Sequence, residues 1–347
     1  MADTIHLLGL GSVGVLVAHA LAGVQNRPHL NLLFHRPINH PPSLLAVTRE
    51  GVTQYESNFS AEEYRDGCWY QASSDISSNE DPIHLLVVTV KAHHTLSSIR
   101  LVKHRLTHHS TVLFLQNGLG VLDELDAEIF PDPSKRPCYM SGIVTHCVHR
   151  KAFLSAVHTA TGSIALGASP RITRASEAAV SHQLNTNGLL LVDTLCRTPF
   201  LYVSRLSPPT LLEQQLIKLA TNSTYNPLTS LLECSVRALI TSNSPQVQAI
   251  SDALVCEFSA IISCLPLAGL ISDKDVEEKF STSNLKRIIT QLGLRAGTHT
   301  TSMLQDIQNG VQTEIMYLNG YFTRWALSLG IACPTNKIIT QMVLAKE

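Results

Sequence analysis

Three polar side chains recur at every fourth position of one apolar stretch in the second half of the chain. They are Lys218, Asn222 and Asn226, and Pro227 follows them directly. An α-helix has 3.6 residues per turn, so each step of four rotates by only about 40° and the three side chains share one stripe. One lysine and two amides on an otherwise apolar helix indicate a polar line facing a cleft, and a solvated surface stripe is the alternative. Pro227 is expected to kink the helix and to free a backbone carbonyl one turn earlier.

The last part of the chain adds two further candidates for chemistry. Ser302 opens the segment SMLQDI, and its alternative role is that of a helix N-cap. Glu314 is the only acid between Asp306 and Glu347. Its alternative role is that of a solvated carboxylate in the first turn of a helix, where the helix dipole favours it.

A glycine-rich segment near the start of the chain has the spacing of a dinucleotide-binding turn. It lies between an apolar strand-like segment and a helical run, and its residues are Gly9, Leu10, Gly11, Ser12, Val13 and Gly14. In such a turn the first glycine permits the tight bend, the second lets the backbone approach a pyrophosphate, and the third allows close packing of helix on strand. The helix N-terminus then offers free N–H groups to the phosphates. The segment predicts dinucleotide binding, and a bare glycine-rich turn is the alternative.

Three further polar residues follow segments that are typical of strands. Arg36 comes after Leu30–Phe34, where a protein that binds NAD usually has an acid for the ribose 2′-hydroxyl. A guanidinium at that point suits a 2′-phosphate instead, and a solvated loop residue is the alternative. Lys91 and Asn117 follow the next two strand-like segments, where they could face the ribose and the nicotinamide or be ordinary turn residues.

Two hydrophobic patterns meet near residue 207 and predict the elements that position these residues. Before it, short apolar segments separated by helical stretches predict a mainly parallel sheet, with strands at Thr4–Leu8, Leu30–Phe34, His84–Val90, Thr111–Leu115 and Pro137–Thr145. After it, apolar residues at spacings of three and four predict helices at Leu211–Leu239, Gln246–Leu265, Asp273–Leu292 and Thr313–Leu329. Pro334 fits an early position in a last helix that ends near Lys346. We therefore predict an α/β domain at residues 1–206, elaborated by the stretch 37–82 with a polar loop at 71–82. An all-helical domain follows at residues 207–347.

The composition excludes several classes of protein. The 347 residues carry 26 basic and 27 acidic side chains and a formal net charge of −1, without the clustered basic residues of a nucleic-acid-binding surface. The 44% of hydrophobic and 15% of charged residues exclude global disorder. We expect a soluble, cytoplasmic protein, because no segment has the features of a membrane span or a targeting signal and the eight cysteines lack a CxxC pair. We expect no metal site, because His104, His108 and His109 have no third ligand at a characteristic spacing.

Seven motifs in chain order resemble the ketopantoate reductase family (2-dehydropantoate 2-reductases) over almost the whole chain. They are GLGSVG at 9–14, VKAHHT at 90–95, LQNGLG at 115–120, GIVTH at 142–146, KLATNSTYNPLT at 218–229, SMLQDI at 302–307 and TEIMYLNG at 313–320. The resemblance implies an N-terminal Rossmann-like, doubly wound domain that binds NADPH and a helical C-terminal domain, with the active site in the cleft between them. It also implies an oxidoreductase that uses NADPH to reduce 2-dehydropantoate to (R)-pantoate in pantothenate biosynthesis.

The same resemblance implies roles for the candidates in the helical domain. Lys218 matches the family's proton donor, and Glu314 matches an acid beside the bound cofactor and substrate. Ser302 matches a contact to the substrate carboxylate. Asn222 and Asn226 match further substrate contacts.

The resemblance also implies the residues of the cofactor side. The glycine turn at 9–14 matches the pyrophosphate site, and Arg36 fits the 2′-phosphate site. Lys91 and Asn117 match cofactor-side residues, and we assign Asn117 to the substrate as well. Glu314 is counted among both the catalytic and the cofactor-binding residues.

One departure from the family pattern concerns the substrate. Family members often continue after NPLT with an Asn-Gly whose asparagine also touches substrate, whereas this chain reads Leu231, Leu232, Glu233 and Cys234. Two other interpretations therefore stay open: a reductase of another branched 2-keto acid, and a non-catalytic relative that retains NADPH as a ligand. The retained Lys218 argues against the second, since binding alone has no chemical need of a lysine. The expected partner is a small-molecule 2-keto acid, with no nucleic acid and no membrane, and the expected state is a monomer or a homodimer.

Overall fold

The structure is a computed structural model, and it describes residues 4–40, 42–72, 79–172, 184–242, 244–298 and 300–347. The chain forms two compact units. Unit 1 comprises Met1–Gln116, Val121–Ser169 and Val180–Leu211, and unit 2 comprises Asn117–Gly120, Pro170–Ala179 and Leu212–Glu347. The assignment of cofactor binding to residues 1–206 and of catalysis to residues 207–347 stays a prediction. None of the helices in the described ranges is long and apolar enough to cross a membrane.

Unit 1 contains the strands and the first helices of the chain. Its helices are α1 (Ser12–Ala22), α2 (Thr95–Val102), α3 (Val121–Glu128) and α4 (Thr186–Cys196). Its strands are β1 (Thr4–Leu8), β2 (His29–Phe34), β3 (Leu45–Arg49), β4 (Val52–Glu56), β5 (Ser60–Arg65), β6 (Cys68–Gln71), β7 (Leu85–Val88), β8 (Thr111–Phe114), β9 (Cys138–Val144), β10 (Cys147–Ala152), β11 (Ser155–Ala160), β12 (Ile164–Ala168) and β13 (Val203–Arg205).

Nine of these strands form one sheet in the described part of unit 1, in the order β13-β12-β9-β8-β7-β1-β2-β5-β6. The strands from β9 across to β5 run parallel, so their carboxyl ends lie along one edge. The order reverses at β1, which lies between β2 and β7. A doubly wound sheet binds ligands at this edge, next to the point of reversal. The predicted α/β, Rossmann-like class is confirmed.

The five predicted strands are all present, with small differences at their ends. Thr4–Leu8 is β1 as predicted, whereas the strand predicted at His84–Val90 is confined to Leu85–Val88. All four residues of β7 are buried, which explains why a strand inside a parallel sheet shows a continuous apolar run. The flanking residues of the run belong to the loops at the two edges of the sheet.

The stretch 37–82 forms four strands that the hydrophobic pattern does not predict one by one. β5 and β6 extend the main sheet, whereas β3 and β4 join β10 and β11 in a second sheet of order β10-β11-β3-β4. Of the polar loop predicted at 71–82, residues 73–78 lie outside the described residues, and Gln71 is the last residue of β6.

A buried ion pair joins β5 to the turn after α2. Nη1 of Arg105 lies 2.6 Å from Oε2 of Glu62, and both side chains are 0% exposed. The Asn79 amide donates to Oε1 of Glu62 at 2.8 Å, and Nε of Arg105 donates to the carbonyl of Asp81 at 2.8 Å. Burial, together with the nearby Arg105 charge, lowers the pKa of His6 to about 3. The two charges are thus paired and hydrogen-bonded, which is the condition under which a protein interior accommodates them.

Unit 2 is helical in its described residues. Its helices are α5 (Pro208–Leu232), α6 (Val236–Thr241), α7 (Pro245–Ser263), α8 (Asp273–Phe280), α9 (Thr282–Ala296), α10 (Ser302–Gln308), α11 (Asn319–Leu329) and α12 (Pro334–Lys346), with a 3₁₀ turn at Ile315–Tyr317. Phe258, Phe280 and Phe322 are fully buried in its core. The helical C-terminal region is confirmed, and α12 begins at Pro334 and ends at Lys346, in agreement with the expected early position of the proline and the expected end.

Three of the predicted helices are interrupted. Leu211–Leu239 is α5 and α6, because Glu233 between them has a positive φ of 53°. Asp273–Leu292 is α8 and α9, which are separated at Ser281, where a ψ of 146° is extended. Thr313–Leu329 begins as the 3₁₀ turn and becomes helical only at the start of α11. The apolar spacing continues across each break, so periodicity alone cannot locate it.

Candidate functional site

Two glycines of the turn after β1, Gly9 and Gly14, lie where a side chain would clash. Gly9 has a φ of +103°, and a Cβ on it would lie 2.5 Å from the backbone nitrogen of Val90. A Cβ on Gly14 would lie 1.9 Å from the carbonyl oxygen of Gly9. The Thr89 hydroxyl donates to that same carbonyl. The turn is therefore packed closely against the segment that follows β7.

Gly11 leaves room for a ligand in front of α1. A Cβ on Gly11 would meet no atom within 4 Å, so its backbone faces open space. Gly11 is the N-cap of α1 and provides no side-chain hydrogen bond to the first turn. The first N–H groups of a helix have no partner within the helix, and they are available to an anion there. The residues of this turn therefore fit the pyrophosphate of a dinucleotide.

Arg36 and Lys91 lie at the same edge of the sheet, after β2 and β7. Arg36 is exposed, two residues beyond the end of its strand. Lys91 is the N-cap of the 3₁₀ turn Ala92–His94. Burial lowers the pKa of His35, and the charges of Arg36 and His94 lower it further. The basic side chains at this edge favour an anionic ligand.

An acid on the neighbouring strand fixes the loop that carries Arg36. Glu63 on β5 is in register with Phe34, and its carboxylate accepts the N–H of Ile38 at 2.8 Å. Nη1 of Arg65 lies 3.6 Å from the same carboxylate. Sequence reasoning missed Glu63, because nothing in the sequence shows that β5 pairs with β2.

The predicted polar stripe of unit 2 lies on α5. Asn226 is buried, whereas Lys218 and Asn222 are half-buried. Burial lowers the pKa of Lys218 from 10.5 to about 8, and the negative charge of Glu314 acts in the opposite direction. A solvated lysine would titrate near its ordinary value. Because Asn226 is buried and Lys218 and Asn222 are half-buried, the alternative of a solvated surface stripe is wrong.

Glu314 is 8% exposed and lies directly before the 3₁₀ turn. Its backbone carbonyl accepts the N–H of Tyr317 at 2.9 Å and that of Leu318 at 3.2 Å. The alternative of a solvated carboxylate in an α-helical first turn is therefore wrong. A buried acid whose charge acts on a half-buried lysine is typical of sites that transfer protons.

Pro227 lies inside α5 and cannot donate a hydrogen bond to the preceding turn. The carbonyl of Ser223, four residues earlier, accepts the side-chain amide of Asn319 at 2.9 Å instead. The same amide nitrogen donates to Oδ1 of Asn336 at 2.8 Å, and both asparagines are fully buried. The freed carbonyl is confirmed, and the kink stays a prediction. A buried carbonyl needs a donor, but the sequence did not identify Asn319 as that donor.

The N-cap of α10 is Thr301, so the interpretation of Ser302 as the N-cap is wrong. The Thr301 hydroxyl accepts the N–H of Leu304 and lies 2.8 Å from the hydroxyl of Thr229 on α5. Ser302 is the first residue of the helix, and its side chain is exposed. Since Thr229 follows Asn226 by about one turn, Ser302 lies near the Asn226 end of the stripe.

Asn117 follows β8 in the chain but belongs to unit 2. In its loop, the N–H of Leu119 donates to the carbonyl of Tyr317 at 3.0 Å. A Cβ on Gly118, which has a φ of +85°, would lie 2.6 Å from that carbonyl oxygen. The loop that carries Asn117 therefore packs against the turn that follows Glu314, a contact that the sequence does not reveal.

The structure thus arranges the predicted site residues in two groups. In unit 1, the edge of the sheet carries the glycine turn at 9–14, Arg36 and Lys91. In unit 2, the second group consists of Asn117, Lys218, Asn222, Asn226, Ser302 and Glu314. The first group fits an anionic dinucleotide, and the second combines a lysine ammonium and a buried acid with groups that can hydrogen-bond a small polar molecule.

Comparison with known proteins adds a family to this geometry. The family described as Ketopantoate reductase PanE/ApbA matches residues 5–171, and Ketopantoate reductase PanE/ApbA C terminal matches residues 210–347. The chain is similar to the probable 2-dehydropantoate 2-reductase of Schizosaccharomyces pombe, with 25% identity over 100% of the chain and 97% of that protein. It is 26% identical to the ketoisovalerate reductase of Beauveria bassiana, over 94% of the chain and 79% of that protein.

A solved structure shares the fold. It is the ternary structure of D-mandelate dehydrogenase with NADH and anilino(oxo)acetate, with a TM-score of 0.72. The match covers 99% of this chain and 97% of that chain at 19% identity. At this identity the likeness concerns the fold alone.

Proposed function

Because the chain belongs to the ketopantoate reductase family and is an oxidoreductase of that family, we propose that it reduces 2-dehydropantoate to (R)-pantoate with NADPH. We place this reaction in cytoplasmic pantothenate biosynthesis. The observation that carries the proposal is the half-buried Lys218, whose pKa burial lowers to about 8 in the presence of the Glu314 charge. A general acid works best when its pKa lies near the operating pH. We expect a monomer or a homodimer, which light scattering of the purified protein distinguishes.

Lys218 has two tasks in the reduction of a ketone. NADPH, when bound, supplies the hydride for the keto carbon. The Lys218 ammonium stabilises the negative charge that develops on the carbonyl oxygen and donates the proton to it. Glu314 raises the pKa of Lys218 against the effect of burial, so that most molecules carry this proton at neutral pH.

The remaining groups of the stripe bind the substrate. From Lys218 to Asn226 the stripe extends over about 12 Å at 1.5 Å per residue, enough for a small branched keto acid. The amides of Asn222 and Asn226 can donate to and accept from its keto and hydroxyl groups. The hydroxyl of Ser302 can donate to its carboxylate, a charge-assisted hydrogen bond.

We assign the cofactor to the edge of the unit 1 sheet. The open space at Gly11 and the uncapped start of α1 fit the pyrophosphate. Arg36 would meet the 2′-phosphate with paired, charge-assisted hydrogen bonds. The neighbouring carboxylate of Glu63 accepts the N–H of Ile38 and so holds the loop that carries Arg36. This arrangement favours NADPH over NADH.

One observation favours a second substrate, ketoisovalerate. The chain lacks the Asn-Gly that family members often have after the NPLT sequence, and α5 ends instead at Leu232, before Glu233 and Cys234. A missing asparagine removes one hydrogen-bond partner for the substrate. Ketoisovalerate has no hydroxyl group and needs fewer such partners than 2-dehydropantoate. The similar Beauveria bassiana protein is a ketoisovalerate reductase.

The test is a substrate panel assayed with one preparation of the enzyme. NADPH oxidation is followed with 2-dehydropantoate, ketoisovalerate and an unbranched 2-keto acid, with Lys218→Ala as the control for background oxidation. We expect the highest kcat/KM for 2-dehydropantoate, by about tenfold or more. Its hydroxyl group can hydrogen-bond to the amides of Asn222 and Asn226, which the other acids leave without a partner. A higher value for ketoisovalerate would make that acid the substrate. NADPH binding without reduction of any 2-keto acid would instead identify a non-catalytic relative.

A further inference from the structure

The segment that carries Glu314 is held by the side chain of Glu347, the residue after α12. Oε1 of Glu347 accepts the backbone N–H of Thr313 at 3.0 Å and the hydroxyl of Thr313 at 2.5 Å. Thr313 is 3% exposed, so water has little access to these hydrogen bonds. Hydrogen bonds to an ionised acceptor are about twice as strong as neutral ones. Glu347 therefore restrains the residue directly before Glu314.

Thr313 extends this restraint to the other side of Glu314. Its hydroxyl oxygen also accepts the N–H of Ile315 at 3.2 Å, so residues 313 and 315 are connected around Glu314. The carbonyl of Glu314 accepts the N–H of Tyr317 at 2.9 Å. The backbone at Glu314 is thereby fixed on both sides.

The helix before Glu347 is itself connected to α5, which carries the polar stripe. Near the end of α12, Nζ of Lys346 lies 2.8 Å from Oε1 of Glu233, the residue after α5. Near its start, Asn336 accepts a hydrogen bond from Asn319, which also donates to a carbonyl of α5. Near its end, α12 is thus attached to the residue after α5, and near its start it is attached to α5 through Asn319. Glu347 holds the Glu314 segment.

We infer that Glu347 is a positioning residue, which acts through Thr313 to hold the Glu314 carboxylate where its charge acts on the Lys218 ammonium. The inference rests on the proposed role of Lys218 as the proton donor. The charge of Glu314 raises the pKa of Lys218 against the effect of burial. At the end of α12, Lys346 is paired with Glu233 and leaves the Glu347 carboxylate to Thr313.

Loss of this restraint should change the titration of Lys218 in one direction. Burial lowers the pKa of Lys218 and Glu314 raises it. When Glu314 moves away, burial is less opposed and the pKa falls. Lys218 then loses its proton at a lower pH. In the pH profile of kcat, the alkaline limb, where kcat falls as the pH rises, therefore moves towards neutral pH. If Glu347 affected stability alone, the free energy of unfolding would fall while that limb stayed in place.

The experiment compares four variants of the full chain, each with its affinity tag at the N-terminus. Glu347→Ala removes the acceptor, and Glu347→Gln retains an amide oxygen that can accept both hydrogen bonds. Thr313→Val removes the hydroxyl contact from the other side and keeps the shape of the side chain. Glu233→Gln is the matched control, because it weakens the attachment of α12 through Lys346 and leaves both hydrogen bonds between Glu347 and Thr313 in place, so it separates the two effects.

For each variant, kcat and both KM values are measured across the titration range of a lysine. We expect Glu347→Ala and Thr313→Val to move the alkaline limb down by about 0.5 pH unit, which lowers kcat about threefold above the limb. Neither Glu347 nor Thr313 contacts a substrate in this proposal, so the deciding result is the position of the limb, and the two KM values separate it from any change in binding that a displaced Glu314 causes. Glu347→Gln and Glu233→Gln should keep the wild-type limb. An unmoved limb in both Glu347→Ala and Thr313→Val, or an equal shift in Glu233→Gln, would overturn the inference.

A second measurement does not depend on turnover. In protein labelled with carbon-13 lysine, the resonance of Lys218 is identified by its loss in Lys218→Arg and titrated by NMR without ligands. The midpoint should fall in Glu347→Ala and stay unchanged in Glu233→Gln. If the wild type reduces no 2-keto acid, the proposed function fails, and this titration still decides the positioning role. Equal midpoints in the wild type and Glu347→Ala would reject that role.

Discussion

At the scale of single residues, the proposed chemistry depends on one proton of Lys218. Burial lowers its pKa from 10.5 to about 8, so the ammonium form dominates at neutral pH and is lost above pH 8. A general acid works only in its protonated form. We therefore expect kcat to be constant near neutral pH and to fall about tenfold per pH unit above the limb. Initial rates with both substrates saturating measure this profile, and a kcat that stays constant up to the ordinary lysine range would contradict it.

Replacement of the same side chain tests whether it acts in the transition state. Lys218→Ala should lower kcat by at least about 100-fold, because both the charge on the developing oxyanion and the proton are lost. The dissociation constant of NADPH should stay nearly the same, since we assign the cofactor to groups at the edge of the unit 1 sheet. Fluorescence titration of NADPH serves as the control for folding. Near-normal turnover in this variant would remove Lys218 from the mechanism.

Arg36 is the residue expected to select the cofactor. It is exposed after β2, and a charge-assisted pair with the 2′-phosphate should favour NADPH over NADH by about 10- to 150-fold in affinity. The preference should shrink with added salt, because an exposed pair is screened. Arg36→Asp should reverse the order, since a carboxylate repels the phosphate and accepts the 2′-hydroxyl of NADH. Dissociation constants of both cofactors at fixed ionic strength test this, and equal wild-type affinities would show that Arg36 does not read the phosphate.

At the scale of elements, α5 depends on a side chain from a distant part of the sequence. Asn319→Ala removes the donor for the Ser223 carbonyl and the hydrogen bond to Asn336. A buried polar group without a partner costs about 1–3 kcal/mol, so we expect a loss of that size or more in the free energy of unfolding. Urea denaturation followed by circular dichroism measures it. Gln341→Ala, at an exposed position of α12, is the matched control and should change stability by less than about 0.5 kcal/mol. Equal stability of the two variants would mean that α5 does not depend on Asn319.

Elements whose burial is visible in the sequence could be predicted from it. The bounds of β1 and α12 follow from their apolar residues and from Pro334 at the helix start. Strand β4 could not be found in this way, because most of its residues are exposed. It exists through backbone pairing with β3, and such pairing leaves little trace in the hydrophobic pattern. The break at Glu233 is hidden for a related reason, since the apolar spacing continues beyond it.

In the candidate site, too, the sequence reveals what depends on neighbouring residues and does not reveal contacts between residues far apart in the chain. Helical periodicity is local, so the sequence was sufficient to align Lys218, Asn222 and Asn226 on one face. The contact of Glu347 with Thr313 joins residues far apart in the chain. No spacing rule connects such residues, and only the packing of helices reveals them. The placement of the three candidate side chains on one helix was therefore predictable, and the groups that hold the neighbouring segment in place were not.

At the scale of the whole molecule, the free energy of unfolding is a small difference between large opposing contributions. The loss of one buried charge pair is therefore a large fraction of it. Arg105→Met would leave Glu62 buried without its partner, since both side chains are 0% exposed. Breaking such a pair costs about 3–5 kcal/mol. Urea denaturation should therefore show a midpoint far below that of the wild type, while kcat per folded molecule is retained.

The matched control for this variant is an ion pair on the surface. Nη2 of Arg100 lies 2.5 Å from Oε2 of Glu128, and the two side chains are 54% and 49% exposed. Arg100→Met should cost no more than about 1 kcal/mol, because water screens the pair and solvates the remaining carboxylate. A similar loss of stability in the two variants would mean that burial is not what gives the Arg105 pair its effect.

The lowered pKa of Lys218 has one more chemical consequence. An amine with a pKa of about 8 is neutral in about one molecule in ten at pH 7, whereas at the ordinary value of 10.5 the fraction is about one in three thousand. A neutral amine is a nucleophile towards a carbonyl carbon and forms imines with keto acids. The side chain that we propose as the proton donor to the substrate oxygen is therefore also able to attack the substrate carbon. In a productive complex the keto oxygen of the substrate, and not its keto carbon, must face Nζ of Lys218. This orientation of the keto acid would also protect the enzyme from inactivation by imine formation.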